Sequence, residues 1–355
     1  MAVFLEPDSL LEFTREVFQS CGAPEAEAAI VADHLVTANL LGYDTHGVIR
    51  IPQYVADIGS GTIRPGAPMT VERETATTAV LDCGWNFGQV GGLRAIEIAM
   101  AKARQFHTST VLARRSNHAG RLGTFTQRAA EEGFLALAAC NSPIHGHFVL
   151  PWGGREGRLA TNPISFAVPM DSYPPLLADF STAETSEGSI RLHRNLGKDL
   201  PPGTIVDADG QPSTDPSKFY GPPRGVILPF GGGKGYRGYA LGLLVEILGG
   251  ILAGSSITVE QPGNGLGFIV VDISSFLERE QFSALMLELR DYVKSSLPAP
   301  GCSEVMLPGE PDFCRRQERL RTWVPVDETT WDQIRAAAGA VGVEWRGACR
   351  AVEQT

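Results

Sequence analysis

The stretch Gly231-Gly232-Gly233-Lys234-Gly235-Tyr236-Arg237-Gly238 decides the fold. Its last six residues satisfy G-x-G-x-x-G. It stands between a strand predicted over 226–228 and an apolar helix, the local context of a dinucleotide-binding turn. Two features argue against a Rossmann fold. Pro229 shortens the strand. The acidic residue expected about 20 positions on is missing, because that region reads Leu252-Ala253-Gly254-Ser255-Ser256. A reading independent of fold survives: glycine-freed N–H groups, Lys234 and a helix N-terminus predict a phosphate site.

Working outward, 239–254 is apolar apart from Glu246. It falls short of the ~20 residues needed to cross a bilayer, so it is predicted as a buried helix. Upstream, strands predicted over 78–81, 110–113 and 134–139 alternate with helices over 89–105 and 124–132, which argues for an α/β layer architecture. The first seventy residues read as helical. Ser9 is placed to cap the first helix, Pro24 to start the second and Gly42 to end it. A third helix is predicted over 48–58. The middle is turn-rich, with a short strand at 176–178 and a Pro-rich polar tract over 201–223. A strand over 267–272 and helices over 281–294 and 330–338 close the chain. The division expected is a helical segment 1–75 packing with C-terminal helices 275–355, an α/β core from 76–140 and 225–274, and a lobe from 141–224.

Forty glycines in 355 residues exceed the usual share, about 7%. They follow no Gly-X-Y period, so their clusters read as tight turns. Thirty basic against forty acidic residues give a net charge of −10 with no run of like charge. That excludes a general basic face for nucleic acid or anionic membrane, so an anionic ligand must be held by a few placed cations. The six cysteines form no C-x-x-C pair, which gives no zinc ribbon or redox dithiol and predicts a reduced, cytoplasmic chain. The acidic N-terminal stretch does not read as a signal peptide.

Two histidines lie in glycine-flanked polar loops. His46 stands in Asp44-Thr45-His46-Gly47, with Arg50 and Tyr54 four and eight residues on. If a helix starts near His46, all three share one face. A proton donor, a cation able to bind a carboxylate through two hydrogen bonds, and a phenol suit a small oxygenated acid. A capped helix start with exposed side chains fits the same spacing. His118, in Ser116-Asn117-His118-Ala119-Gly120-Arg121, follows a strand and precedes a helix, where α/β proteins place their chemistry. A loop histidine bonded to backbone fits equally. His145 and His147 lack a clear third ligand, and Asp207-Ala208-Asp209-Gly210 lacks the rest of a calcium loop, so no metal site is predicted.

Together these segments resemble the type-2 malate/L-lactate dehydrogenase family of NAD(P)-dependent oxidoreductases. The matching pieces are Asp44-Thr45-His46-Gly47-Val48 with Arg50, Ser116-Asn117-His118 with Gly120-Arg121-Leu122-Gly123, Asn141-Ser142, Pro151-Trp152-Gly153-Gly154-Arg155-Glu156 and Thr161-Asn162-Pro163. Asp179-Phe180-Ser181-Thr182, Asp207-Ala208-Asp209-Gly210, Leu228-Pro229-Phe230-Gly231-Gly232 with Lys234-Gly235-Tyr236, and Leu307-Pro308-Gly309-Glu310 come next, in the family's order.

The resemblance implies an α/β fold that is not Rossmann: a mixed-sheet cofactor core, an irregular second lobe and a helical layer built from both termini. It implies a homodimer or a multiple of dimers. It implies reversible hydride transfer between NAD(H) or NADP(H) and C2 of a small 2-oxo or 2-hydroxy acid. The acid/base histidines match His118 and His46, with His118 slightly preferred as the proton-exchanging group. The substrate side is Arg50, Tyr54, Thr45 and Arg121, with Arg121 as reader of a second anionic group or as a salt bridge at a helix start. The cofactor side is Ser142, Thr161, Asp179, Phe180, Ser181, Lys234, Gly235, Gly309 and Glu310.

Departures from the family pattern are Thr45 for Ser, Gly233 for a common His, and Ala119 for a bulkier residue, which leaves room beside His118. Glu187, if beside the adenosine ribose, repels a 2′-phosphate and favours NAD. A cyclic imino-acid reductase on the same scaffold is the nearest alternative, and a non-catalytic nucleotide-binding protein the remote one.

Overall fold

The glycine-rich turn does not join two neighbouring strands. In the computed structural model, which describes residues 2–171, 173–255 and 263–352, the strand before the turn is Val226–Ile227. It pairs antiparallel with Ile205–Val206 in a three-stranded sheet. The strand after the next helix, Asn264–Asp272, lies in a different sheet, antiparallel between Thr108–Ser116 and Phe134–Cys140. A dinucleotide βαβ unit needs parallel strands of one sheet, so the glycine match is local and the fold is not Rossmann.

That second sheet has seven strands. Their spatial order is Thr70–Glu74, Thr78–Asp82, Thr108–Ser116, Asn264–Asp272, Phe134–Cys140, Ile164–Val168 and Leu176–Phe180. Thr78–Asp82 and Thr108–Ser116 pair in parallel; the other pairings described are antiparallel. The sheet is therefore mixed. The helix Gly88–Phe106 makes the parallel crossover. It buries Ala95, Ile96, Ala99, Met100 and Ala103, at helical spacing, against Val111, Ala113, Phe268 and Val270 of the sheet. Gly92 permits the approach of Gly123–Glu131, since a Cβ there would lie 2.4 Å from the Phe125 ring.

Both termini share a second core. Ala2–Leu5 is the middle strand between Val324–Asp327 and Cys349–Val352. Leu10, Phe13, Val17, Leu35 and Ile51 pack there with Trp331 and Ile334. A smaller core under 148–227 includes Val149, Ile190, Ile205, Phe219 and Ile227.

Several sequence expectations change. The first helix runs Pro7–Ser20, and its cap is Glu6, whose carboxylate accepts from the Ser9 N–H at 2.7 Å; Ser9 is not the cap. The N-terminal stretch expected to be helical opens with a strand. Thr70–Glu74 and Glu310–Thr322 escape prediction because the first is exposed throughout and the second has no buried residue, so neither carries an apolar period. The helix expected to be buried over 239–254 is Tyr236–Val245 running into a π-helical turn, Glu246–Ile251. Leu243, Leu244, Ile247, Ile251 and Leu252 are exposed on it. Its inner face meets the core, and nothing among the described residues covers the outer one. Arg279–Lys294 buries no residue and exposes Leu285, Leu289 and Tyr292. No described helix is long and apolar enough to cross a membrane.

Candidate active site

Two loops from different layers meet at the expected histidines. The helix Glu25–Leu41 ends at Gly42 in the left-handed region, φ 91°. Asn39, in its last turn, organises the loop beyond. Its Oδ1 accepts from the Val48 N–H at 2.8 Å, and its Nδ2 donates to Asp44 Oδ1 at 2.7 Å. Asp44–His46 is thereby held as one 3-10 turn, with Val48–Arg50 as the next and Ile51–Gly59, which carries Tyr54, as the helix beyond. The second loop leaves the strand Thr108–Ser116. Asn117 Nδ2 donates to the carbonyls of Trp85 (2.7 Å) and Asn86 (3.1 Å). The Arg121 N–H donates to His34 Nε2 at 2.9 Å.

His46 Nδ1 lies 3.3 Å from His118 Nε2, with ring planes 13° apart. His118 Nδ1 lies 2.7 Å from Tyr54 Oη, which accepts from Gln89 Nε2 at 2.8 Å. Both ring nitrogens of His118 are thus engaged. His46 keeps Nε2 without a protein partner among the described residues. Burial, then the guanidiniums of Arg50 and Arg121, push His46 down to about 3. Burial and Arg50 hold His118 well below the usual histidine range, and burial pushes the Tyr54 phenol up to about 12. At neutral pH both imidazoles are neutral and the phenol keeps its proton.

Arg50 is oriented by its own turn. Nε donates to the Thr45 carbonyl at 2.7 Å and Nη1 to Gln53 Oε1 at 2.9 Å, leaving Nη2 without a protein acceptor among the described residues. Arg121, expected as an anion reader or a salt bridge, is 1% exposed. Its guanidinium lies 4.9 Å from the Tyr43 ring centroid, its Nε has no partner and its nearest acceptor is Gln127 Oε1 at 3.3 Å. No ion pair forms there among the described residues. Glu187 sits at the Arg50 end of the site. Its carboxylate accepts from Tyr220 Oη at 3.0 Å and partly offsets the burial that lowers the pKa of Arg50. At Gly188 a Cβ would come within 2.9 Å of Thr45 Cγ2. That position gives no basis for choosing NAD over NADP.

The residues expected on the cofactor side divide. Asp179 Oδ2 accepts from the Gly123 N–H at 2.6 Å, and burial raises its pKa. Ser181 Oγ donates to the Thr161 carbonyl at 3.0 Å. Glu310 is paired with Lys294 at 2.7 Å and accepts from the Leu307 N–H, just after Gly309 in the left-handed region. These three carboxyl or hydroxyl groups are therefore committed to the protein. The phosphate site expected at the glycine turn is also partly filled, because Glu184 Oε1 accepts from the Gly231 and Gly232 N–H groups at 2.8 and 2.7 Å. What stays open is backbone at Gly232 and Gly233, where a Cβ would meet nothing within 4 Å. Lys234 stands beside them, before Gly235. Around the turn the rings of Phe180, Phe230, Trp152 and Tyr236 are exposed. Ser142 is half-buried, its carbonyl 3.2 Å from His147 Nε2. Among the described residues no three His, Cys, Asp or Glu side chains converge as metal ligands.

Sequence reasoning missed Gln89, His34, Asn39 and Glu246. His34 carried a usable signal: a histidine inside the apolar run Ile30–Val36 must find a hydrogen-bond partner. Gln89 and Glu246 each sit within a helix, where no local pattern names a partner.

Comparison with known proteins identifies the family. Residues 5–335 match the family model described as malate/L-lactate dehydrogenase. A malate dehydrogenase of Pyrococcus horikoshii is 36% identical over 349 residues, 95% of each chain. The solved sulfolactate dehydrogenase of Methanocaldococcus jannaschii superposes with a TM-score of 0.87 at 32% identity, covering 97% of this chain and 98% of that one. The Δ1-piperideine-2-carboxylate reductase of Pseudomonas syringae pvar. tomato gives 0.81 at 26% identity, covering 94% and 99%. By the match over residues 5–335 and these likenesses, the chain, with its mixed, non-Rossmann sheet, belongs to the malate/L-lactate dehydrogenase family and is a 2-hydroxyacid dehydrogenase.

Proposed function

We propose that this enzyme interconverts a small 2-hydroxy carboxylic acid and its 2-oxo partner with NAD(H) or NADP(H), and that His46 exchanges the proton. The observation that carries this reading is the ordered line Tyr54–His118–His46, which ends on the one imidazole nitrogen of the pair that has no protein partner among the described residues.

When bound, a nicotinamide cofactor supplies or takes the hydride. The uncrowded Gly233, the Lys234 cation and the exposed rings of Phe180, Phe230, Trp152 and Tyr236 fit a ligand with flat rings and an anionic linker. Arg50 Nη2 holds the substrate carboxylate, its guanidinium fixed by Thr45 and Gln53. In oxidation His46 Nε2 accepts the proton of the substrate hydroxyl. In reduction it returns a proton to the new alkoxide. His118 shares that charge through the 3.3 Å contact, so the two rings titrate as a pair. A bound carboxylate offsets the Arg50 charge that suppresses protonation, so the pair becomes a better base once substrate is present.

The likeness to the piperideine reductase supports a second reading, in which His46 delivers its proton to the nitrogen of a cyclic imino acid. Following NADH and NADPH oxidation with a panel of 2-oxo acids and cyclic imino acids separates the two. Turnover on imino acids alone would overturn the first reading, and turnover on neither would overturn both. The exposed apolar faces at Leu243, Ile247 and Ile251 and at Leu285, Leu289 and Tyr292 support a homodimer, which sedimentation velocity checks.

A further inference from the structure

Gln89 lies on the far side of Tyr54 from the histidines. It is fully buried in the first turn of Gly88–Phe106, with Nε2 2.8 Å from Tyr54 Oη. Its Oε1 is buried and has no hydrogen-bond partner among the described residues. Buried carbonyls are seldom left unpaired, and an unmade bond of this kind is costly.

The direction of the hydrogen-bond chain gives that carbonyl a use. A phenol has one proton to donate. When Gln89 Nε2–H donates to Tyr54, the phenol proton points to His118 Nδ1. His118 then carries its proton on Nε2 and donates to His46 Nδ1, so His46 ends the chain with an N–H at Nε2. With the amide turned over, Oε1 accepts the phenol proton and Tyr54 accepts from His118 Nδ1–H. His118 Nε2 then accepts from His46 Nδ1–H, and His46 ends the chain with a bare Nε2. The two ends of the amide have nearly the same shape, and Oε1 has no other partner among the described residues to tie it down.

We propose that Gln89 is a positioning residue whose amide orientation sets the polarity of the Gln89–Tyr54–His118–His46 chain: the turned-over amide leaves His46 Nε2 bare to take the substrate proton in oxidation, and the charged histidine pair so formed returns that proton in reduction. This rests on the proposed dehydrogenase reading of the site. It explains why a polar side chain with only half its capacity met stands behind a phenol. The charged and titratable groups facing the chain are His34 from the helix Glu25–Leu41, Arg50 from the 48–50 turn, Asp57 from the helix Ile51–Gly59 and Arg121 from the 117–122 loop.

Two variants test it. Gln89→Glu offers only acceptors and a negative charge, which fixes the second polarity and favours the charged imidazole pair. Gln89→Met keeps the length and removes both partners. In Gln89→Glu the acid limb of kcat/KM for hydroxy-acid oxidation is expected to rise by about one pH unit. In Gln89→Met kcat should fall about tenfold in both directions with the limb unraised. NADH affinity, read by fluorescence titration, should be unchanged in both. Histidine 15N spectra give a readout independent of turnover: His118 should shift from the Nε2–H to the Nδ1–H tautomer in Gln89→Glu. An unshifted limb with an unshifted tautomer, or wild-type kcat in Gln89→Met, would overturn the inference. If Gln89→Glu does not fold, the Gln89→Met kcat decides. Wild type inactive on every acid and imine tried would sink the dehydrogenase reading, and the tautomer measurement would still judge Gln89.

Discussion

Tyr54 Oη and His118 Nδ1 are 2.7 Å apart, a bond formed between a helix of the terminal layer and a loop of the sheet core. The phenol is nearly fully buried and keeps its proton, so it fixes the tilt of the His118 ring, while the direction of the phenol proton sets the tautomer. Tyr54→Phe keeps the packing against Phe18 and Phe87 and deletes the bond. General acid–base groups contribute about 10²–10⁴-fold, and loss of one orienting bond should remove part of that. The expected result is kcat about tenfold lower with NADH affinity intact, read by stopped-flow turnover and fluorescence titration. Unchanged kcat would remove Tyr54 from the proton path.

Arg50 controls when the histidines can hold a proton. Beside burial, its guanidinium depresses both His46 and His118. The acid limb of kcat/KM, which reports the free enzyme, should therefore lie well below the ordinary histidine value of about 6.5. The limb of kcat, which reports the substrate complex, should lie higher because the bound carboxylate offsets Arg50. Arg50→Met removes the depressing charge and should move the kcat/KM limb to higher pH while raising KM at least tenfold, since one charge-assisted contact is worth about 1.5–3 kcal/mol. A limb that stays put in Arg50→Met would show that the charge does not act on the proton-exchanging group.

Five strands of the seven-stranded core and the His46 and His118 loops were legible because their signals are local. Strand and helix periods alternate over 78–139, and both histidines sit in polar, glycine-flanked turns. The glycine-rich turn misleads for the same reason. Its six residues look alike whether the next strand is a parallel neighbour or lies in another sheet, and only the pairing of Val226–Ile227 with Ile205–Val206 separates the two cases. Glu184 could not be foreseen at that turn, because it comes to Gly231 and Gly232 across 47 and 48 residues of chain. Gln89 and Tyr54 are separated by 35 residues, and neither spacing nor composition links them. The exposed apolar face of Tyr236–Val245 looks in sequence like any core helix, since a partner surface and a core ask for the same residues.

His34 predicts how the fold responds to acid. It is buried, and its Nε2 accepts the Arg121 N–H, so it must be neutral to keep that bond. Burial, then Arg121 and His46, push it down to about 3 from an unfolded value of 6.5. Above pH 6.5 neither state is protonated there, and the native state loses nothing. As pH falls below 6.5 the unfolded chain takes up a proton that the native site refuses, so stability declines until about pH 3. By that linkage one such histidine costs about 1.4 kcal/mol at pH 5.5 relative to pH 7.5. His46 and His118 add in the same direction. His34→Gln retains an acceptor and cannot titrate, so its melting temperature should fall less between pH 7.5 and 5.5 than that of wild type. An identical fall would mean that His34 protonates freely in the native protein.

Glu246 joins three segments near the glycine-rich turn. Its Oε1 accepts from Asn141 Nδ2 at 3.0 Å and its Oε2 from Asn162 Nδ2 at 2.9 Å. Asn141 comes directly after the strand Phe134–Cys140, and Asn162 belongs to the turn before Ile164–Val168. Glu246 itself opens the π-helical turn that continues the helix after Lys234-Gly235. Neither amide can turn over to suit a new partner. Asn141 Oδ1 is held by the Gly265 N–H at 2.7 Å, and Asn162 Nδ2 also donates to the Gly242 carbonyl at 3.0 Å. Glu246→Gln is therefore isosteric but places one N–H₂ against another in a buried site. An unsatisfied buried donor costs about 1–3 kcal/mol, and the three segments lose a common anchor. The variant should melt several degrees lower and bind NADH more weakly, while KM for the acid, set at Arg50, stays near wild type. A variant that melts and binds NADH like wild type would show that the two asparagines do not depend on this carboxylate.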